Sequence, residues 1–240
     1  MNKRVLLIIP AYNEAANIVG LVHEIQAKAP QVDYLIVNDG STDNTKSVCE
    51  NNQINAVHLP CNLGIGGAVQ TGYLYAYRRQ YDIAVQLDGD GQHDPAYISE
   101  LIQPIIDQKA DFVIGSRFIE GCGFQSSNFR RLGIRWLNGI LKRITGLNIT
   151  DATSGFRAGN RSVMSIFSDY YPKDYPEPES IADLYRYHQK IVEIPVIMRE
   201  RKSGVSSIRL LKPIYYMIKV TFAILISRLK KHTIKEDIQR

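Results

Sequence analysis

The sequence predicts an α/β fold built on a mostly parallel sheet covered on both faces. Two observations carry that expectation. Short apolar, β-prone runs alternate through the first half of the chain with stretches whose apolar residues fall at helical spacing. Successive strands are separated by enough residues for one helix each, the length of a βα unit.

Val5–Ile9 reads as the first strand, ended by Pro10. Ala15–Ala29 reads as a helix with Ile18, Leu21, Val22 and Ile25 along one stripe. Tyr34–Val37 is the second strand. The turn after it, Asn38-Asp39-Gly40-Ser41-Thr42-Asp43, can cap a helix starting near Asn44. Ala56–Leu59 is a third strand and Ala68–Arg79 a third helix. Ile83–Leu87 and Phe112–Gly115 are further strands, separated by a helix from about Ala96 to Asp107. Arg130–Ile144 is an amphipathic helix with Leu132, Trp136, Leu137, Ile140 and Leu141 on one face. Ser180–Lys190 follows a stiff loop containing Pro176 and Pro178. There is no internal repeat and no low-complexity tract.

One stretch concentrates the chemistry: Leu87-Asp88-Gly89-Asp90-Gly91-Gln92-His93-Asp94-Pro95. Residues i and i+2 of an extended chain point to the same side. Asp88 and Asp90 therefore converge just past the carboxyl end of a buried strand, with Gln92 in reach, where open α/β sheets bind ligands. Two carboxylates held that close need a cation or a proton between them. Oxygen ligands suit Mg²⁺ or Mn²⁺, which bind through few carboxylates plus substrate phosphates. An EF-hand loop also opens on D-x-D, but its sixth position should be Gly and is His93, and its twelfth should be Glu and is Ser99. The plainer alternative is a solvated Asp-Gly turn.

Other ligand classes find less support. Pro10-Ala11-Tyr12-Asn13-Glu14 follows the first strand where a dinucleotide fold would carry its glycines. Gly64-Ile65-Gly66-Gly67 follows the wrong strand and reads as a place where a helix N-terminus packs closely. No Walker A sequence occurs. Three cysteines without metal-ligand spacing fit a reduced compartment, and no signal peptide is recognisable. The 45% hydrophobic content is ample for a sizeable core in 240 residues. The net charge of +5 is uneven: from Arg199 onward eleven Lys/Arg face three Asp/Glu, and the first 198 residues sum to −3. That points to an anionic partner for the tail. Nucleic acid is disfavoured, because no recognition motif appears and no aromatic residues interleave the final charges.

Four segments together resemble family-2 glycosyltransferases of the GT-A fold: Ile9–Glu14, Val37–Asp43, Asn62-Leu63-Gly64 and Asp88-Gly89-Asp90. Gly115-Ser116-Arg117, Asp151-Ala152-Thr153-Ser154-Gly155-Phe156-Arg157 and Arg201-Lys202-Ser203-Gly204-Val205-Ser206 are similar to the dolichol- and polyprenyl-phosphate sugar transferase branch. The resemblance spans about residues 3–208. It implies that Pro10, Ala11, Tyr12 and Glu14 border the nucleotide, Tyr12 through its ring face and Glu14 through the ribose. Asp39 would accept a hydrogen bond from the base, while Asp88, beside the nucleotide, joins Asp90 and Gln92 in holding Mg²⁺ or Mn²⁺ on the diphosphate. Tyr12 as a cover for the sheet edge and Asp39 as a turn-former are the alternatives.

A lipid monophosphate acceptor is already anionic and needs cations rather than a base. Arg117 and Arg131 are the first choices, with Arg157, Arg201 and Lys202 behind them, because arginine grips phosphate in a bidentate way. Arg130 and Arg131 could instead form the solvated face of their helix. Related transferases with hydroxyl acceptors place a base near Tyr175-Pro176-Glu177-Pro178-Glu179, so Glu177 or Glu179 is the candidate there. The branch carries a lysine after the Ser206 position in some members, where this chain has Ser207.

The sequence thus divides into a catalytic domain, 1–207, and a tail, 208–240. Ile208–Leu229 reads as a helix interrupted by Pro213, too short in its apolar run to span a bilayer. With Lys212, Lys219, Arg228, Lys230 and Lys231 it suits an interfacial helix at an anionic leaflet, or an interface with a further copy or a membrane subunit. The resemblance implies an inverting transferase moving a sugar from a nucleotide diphosphate, UDP favoured over GDP, to polyprenyl phosphate at the cytosolic face of the membrane for cell-envelope glycans. Its rivals are a same-fold enzyme acting on a saccharide hydroxyl and a non-catalytic membrane scaffold.

Overall fold

The computed structural model describes residues 3–121, 128–173 and 176–199, together with 219, 221 and 222. In chain order the elements are β1 (Val5–Ala11), α1 (Ile18–Lys28), β2 (Asp33–Asn38), α2 (Thr45–Asn51), β3 (Ala56–His58), α3 (Gly64–Arg78) and β4 (Ile83–Gln86). A 3-10 turn (Pro95–Tyr97), α4 (Ile98–Ile106), β5 (Phe112–Ser116), α5 (Asn128–Thr145), β6 (Arg157–Asn160), α6 (Arg161–Asp169), α7 (Pro176–Arg186) and β7 (Ile191–Pro195) complete them. The described strands form one sheet in the order β3-β2-β1-β4-β6-β5-β7.

Every pairing is parallel except those of β6, which runs antiparallel to both β4 and β5. Alternate β1 residues feed two cores. Leu7 and Ile9 pack with Ile18, Leu21 and Ile25 of α1 and Ile98 and Leu101 of α4. Leu6 and Ile8 pack with Val69 and Tyr73 of α3, Leu137 of α5, Phe167 of α6 and Ile181 of α7. This is the two-faced covering that a strand buried on both sides requires.

The predicted strands and helices of the first half are present, with ends shifted by a few residues. α3 starts at Gly64, not Ala68. A Cβ on Gly66 would lie 2.1 Å from the Pro172 carbonyl oxygen, so its first turn packs against the chain after α6 as the glycines suggested. α7 starts at Pro176 rather than Ser180. Proline lacks the N–H that the first turn leaves unpaired anyway, so Pro176 and Pro178 begin the helix instead of preceding it. β6, α6 and β7 are additional to the elements the sequence predicts. The 207/208 boundary and nearly all of the tail lie outside the described residues. Lys219, Thr221 and Phe222 are helical, and Trp136 Nε1 on α5 donates to Thr221 Oγ1 at 3.4 Å. No helix among the described residues is long and apolar enough to cross a membrane.

Candidate active site

The strand order reverses at β1, which lies between β2 and β4, so the crevice at the carboxyl ends of β1 and β4 is the sheet's switch point. Pro10 and Ala11 end β1, and Tyr12 beyond them is 47% exposed. Asn13 takes a left-handed φ of +58°, and its Oδ1 accepts from the Thr42 backbone N at 2.9 Å. Asp39 is buried. Its backbone N donates to the Ala11 carbonyl at 2.9 Å, and its Oδ1 accepts from Leu63 N at 2.7 Å. Asp39 therefore joins the ends of β1 and β2 to the start of α3, through its main chain on one side and its carboxylate on the other. Glu14 Oε2 accepts from Asn17 Nδ2 at 2.5 Å, and Glu14 N donates to Thr45 Oγ1 at 3.0 Å.

The loop after β4 closes onto this edge. A Cβ on Gly89 would stand 3.0 Å from the Pro10 carbonyl and 3.7 Å from Glu14 Cγ. Asp90 is 8% exposed, and its Oδ1 accepts from Gln92 N at 3.0 Å. Asp88 is more open, and Gly155 lies against it: a Cβ there would fall 2.7 Å from Asp88 Oδ2. Only glycine lets that segment approach without displacing the carboxylate. His93 is buried and stacked on Phe156, with ring centroids 5.0 Å apart. Its Nδ1 accepts from the Asp88 backbone N at 3.1 Å, and its Nε2 is 3.8 Å from Asp88 Oδ2. Burial lowers its pKa from 6.5 to about 4, Asp90 and Asp151 pulling upward and Arg117 downward. The ring is neutral at physiological pH and, with Nδ1 accepting, carries its proton on Nε2.

Across the crevice, Arg117 follows β5 and is gripped by Asp151, Nε to Oδ2 and NH2 to Oδ1 both at 2.6 Å. Thr153 Oγ1 accepts from the same NH2 at 2.9 Å. The pair is almost wholly buried, with side-chain exposures of 7% and 0%. Glu193 of β7 fixes the turn beneath it, accepting from Thr150 N at 2.7 Å, Thr150 Oγ1 at 2.9 Å and Asp151 N at 2.8 Å. Burial raises the Glu193 pKa against the pull of those donors. Beside this cluster is a cavity of about 390 Å³ lined by Phe118, Arg131, Ile134, Arg135, Asn138 and Ile149 among others. It combines apolar walls with two arginines one helical turn apart.

Residues 6–167, over half the chain, match the family described as "Glycosyl transferase family 2". The chain belongs to that family. It is 32% identical over 214 residues to the polyprenol monophosphomannose synthase of Mycolicibacterium smegmatis, covering 85% of this chain and 80% of that protein. It is 35% identical over 186 residues to the UDP-N-acetylglucosamine–dolichyl-phosphate N-acetylglucosaminyltransferase of Methanococcus voltae, covering 70% and 74%. Glucosyl-3-phosphoglycerate synthase of Mycobacterium tuberculosis, solved with Mn²⁺, UDP and glucosyl-3-phosphoglycerate, shares the fold at a TM-score of 0.72 and 20% identity, over 95% of this chain and 80% of that one. The protein is thus a glycosyltransferase with a GT-A fold, and its relatives lie in the polyprenyl-phosphate sugar transferase branch.

The fold places Pro10, Ala11, Tyr12, Glu14, Asp39, Asp88, Asp90 and Gln92 along one edge of the sheet, the last three named from their spacing and the others from the family resemblance. Arg157 corrects the expectation that it meets an acceptor phosphate. It is fully buried, and its guanidinium donates to the carbonyls of Ser154, Glu177 and Ala152 and to Ser180 Oγ. It is a tie between β6 and α7, facing away from solvent. Glu177 and Glu179 both sit in the first turn of α7. Glu179 Oε1 accepts from Tyr170 OH at 3.3 Å. Burial raises the Tyr171 hydroxyl well above its ordinary value, with Tyr73 and then Glu177 and Asp88 adding to it, and that hydroxyl donates to Gln86 Oε1 at 3.2 Å. Arg201 and Lys202 lie outside the described residues. Sequence reasoning gave no role to His93, Asp151, Glu193 or Arg199. Asp151 carried a signal in the quoted motif and His93 in the carboxylate loop. Glu193 and Arg199 carried none.

Proposed function

We propose that the enzyme transfers a sugar from a nucleotide diphosphate, UDP favoured, to the phosphate of a polyprenyl lipid at the cytosolic membrane face, with inversion at the anomeric carbon. The observation that carries this reading is the Asp88–Gln92 loop, drawn against Pro10 and Glu14 at the switch point of a family-2 fold. The UDP preference rests on the UDP-sugar donor named for the Methanococcus relative and on the UDP bound by the structural neighbour.

Two carboxylates and an amide on one loop fit a hard divalent cation. Among the described residues no cluster of three or more His, Cys, Asp or Glu could hold a metal alone, so ligands from the substrate would complete the set. Asp88, Asp90 and Gln92 are the residues that would hold Mg²⁺ or Mn²⁺. When bound, the ion supplies neutralising charge to the departing diphosphate. The protein's own groups do the rest. Tyr12 offers a ring to the base, Asp39 braces the nucleotide edge, and neutral His93 keeps Asp88 aimed without adding charge.

Arg117 and Arg131 meet the acceptor phosphate, whose oxygen attacks the anomeric carbon. A new carbon–oxygen bond forms to the lipid phosphate as the bond to the nucleotide diphosphate breaks, and the electron pair leaves on the diphosphate. No base is required, because the acceptor oxygen is already anionic. Arg131 lines the cavity directly, whereas Asp151 and Thr153 hold the Nε/NH2 edge of the Arg117 fork, so Arg117 would meet the phosphate only through the rest of its guanidinium. The cavity lined by Arg131, Arg135, Phe118 and Ile149 matches an anion joined to an apolar chain.

Purified enzyme incubated with Mn²⁺ or Mg²⁺, a panel of radiolabelled nucleotide sugars and undecaprenyl phosphate should yield organic-extractable label. That label should fall at least about 100-fold in Asp90→Ala. Label that stays water-soluble would sink the lipid acceptor. The second reading, a saccharide hydroxyl with Glu177 or Glu179 as base, draws on the place of both carboxylates in the first turn of α7. It predicts that Glu177→Gln or Glu179→Gln abolishes transfer while donor binding is normal.

A further inference from the structure

Arg199, just past β7, joins three parts of the fold. Its backbone N donates to the Gln92 carbonyl at 3.0 Å, and its carbonyl accepts from Gln92 Nε2 at 3.3 Å. The residue before it, Met198, forms an antiparallel bridge with His93. Its guanidinium reaches Glu24 Oε1 on α1 at 2.7 Å and pairs with Asp94 Oδ2 through the other nitrogen. Lys28, one turn beyond Glu24, closes the group at 2.8 Å from Glu24 Oε1 and 2.9 Å from Asp94 Oδ1. Two cations and two carboxylates thus alternate at the far end of the carboxylate loop. Burial pushes Glu24 and Asp94 upward, but hydrogen bonds, including those from Lys28 and Arg199, outweigh it and hold both below the ordinary carboxylate value.

The loop needs such an anchor. Gly89 and Gly91 give its backbone wide freedom, and Gly91 sits at a φ of +76°. Asp88 and Asp90 repel each other, so the loop left to itself favours spreading them apart. An isolated exposed ion pair would contribute little. A forked guanidinium that holds carboxylates on two elements while its own main chain pairs with Gln92 fixes the loop's direction as well as its position.

We propose that Arg199 is a positioning residue: by clasping Glu24 and Asp94 while its backbone pairs with Gln92, it presets the loop that presents Asp88 and Asp90 to the donor's cation and diphosphate. This rests on the reading of the loop given under the proposed function. Outer-shell partners of this kind typically alter metal affinity about 10- to 100-fold.

The test compares full-length wild type with Arg199→Ala, Arg199→Lys, Glu24→Gln and Asp90→Ala. Calorimetry reads the binding of Mn²⁺ together with UDP, and in parallel with GDP. Hydrogen exchange reads residues 88–94 in protein without metal. Arg199→Ala should weaken the Mn²⁺-dependent nucleotide affinity about 10-fold or more. It should speed exchange across the loop, and raise donor KM while leaving acceptor KM unchanged. Lysine reaches one carboxylate at a time, so Arg199→Lys should fall between. Glu24→Gln, remote from the loop, should move the same readouts less, and serves if Arg199→Ala does not fold. A lowered unfolding midpoint with unchanged loop exchange and unchanged Mn²⁺–nucleotide affinity would overturn the proposal. If wild type and Asp90→Ala bind nucleotide equally with and without Mn²⁺, the metal reading fails, and the exchange data alone then decide for or against the clasp.

Discussion

The two halves of the sheet hold their polar residues by different physics. On the β3-β2-β1-β4 side, Asp39, Asn13 and Asp90 sit in turns at strand ends and accept from backbone N–H groups a short way off in space. On the β6-β5-β7 side, Arg117, Asp151, Arg157 and Glu193 lie buried, each satisfied by charge or by several directed hydrogen bonds. The first half is a set of strand-end turns aimed at a crevice and held largely by backbone donors. The second is a cross-braced block in which losing one partner strands another in a dry interior. Substitutions on the two sides should therefore fail in different currencies: binding on the first, folding on the second.

The sharpest contrast is expected at Asp151. Asp151→Asn removes the carboxylate that pairs with the buried Arg117 guanidinium, and breaking a buried pair from one side costs about 3–5 kcal/mol. Urea unfolding should show that loss, and acceptor turnover should drop with it, because the Arg117 fork is no longer fixed. An unfolding curve like wild type's would erase the distinction between the halves. Arg157→Met should be nearly as harmful to folding, about 3 kcal/mol, since three backbone carbonyls and Ser180 lose their donor. The acceptor KM of the folded fraction should not change. A raised acceptor KM at normal stability would return Arg157 to the substrate.

The same contrast governs what the sequence disclosed. Val5–Ile9 and Ile83–Leu87 are buried on both faces, so they read as apolar runs, the second interrupted only by Gln86, and the helices between them keep a clean 3.6-residue stripe. β6 is Arg-Ala-Gly-Asn, whose arginine and asparagine hide a strand, because their partners lie on other elements. β7 places Glu193 inside the sheet for the same reason. In the site, Asp88 and Asp90 were legible because two-residue spacing on one strand end is local geometry. Arg199 was not, because its partner Glu24 is 175 positions away and no local pattern encodes that meeting.

His93 belongs to the first half by position but to the second by physics. Burial holds it at about 4, below its ordinary 6.5, so between those values the unfolded chain binds a proton that the folded chain refuses. Its contribution to stability is complete above pH 6.5 and is lost as pH falls toward 4. His93→Asn puts an amide oxygen where Nδ1 stands, so it keeps an acceptor for the Asp88 N–H, cannot be protonated, and should flatten that limb. Thermal midpoints of both proteins from about pH 7.5 to 4 would show it. Parallel curves would mean that other groups carry the acid sensitivity.

The smallest effect is expected at Tyr12, where the two readings of the nucleotide edge separate. Its ring is half exposed, so little of its area is available to stabilise the fold. A base stacked on that ring would gain about 1 kcal/mol or slightly more, so Tyr12→Ala should raise donor KM roughly fivefold. Phenylalanine should restore it, because stacking needs the ring face and not the hydroxyl. Acceptor KM and the unfolding midpoint should stay put. If the midpoint falls while donor KM does not move, Tyr12 only covers the end of β1, and the nucleotide edge is narrower, running from Pro10 to Asp39 without an aromatic wall.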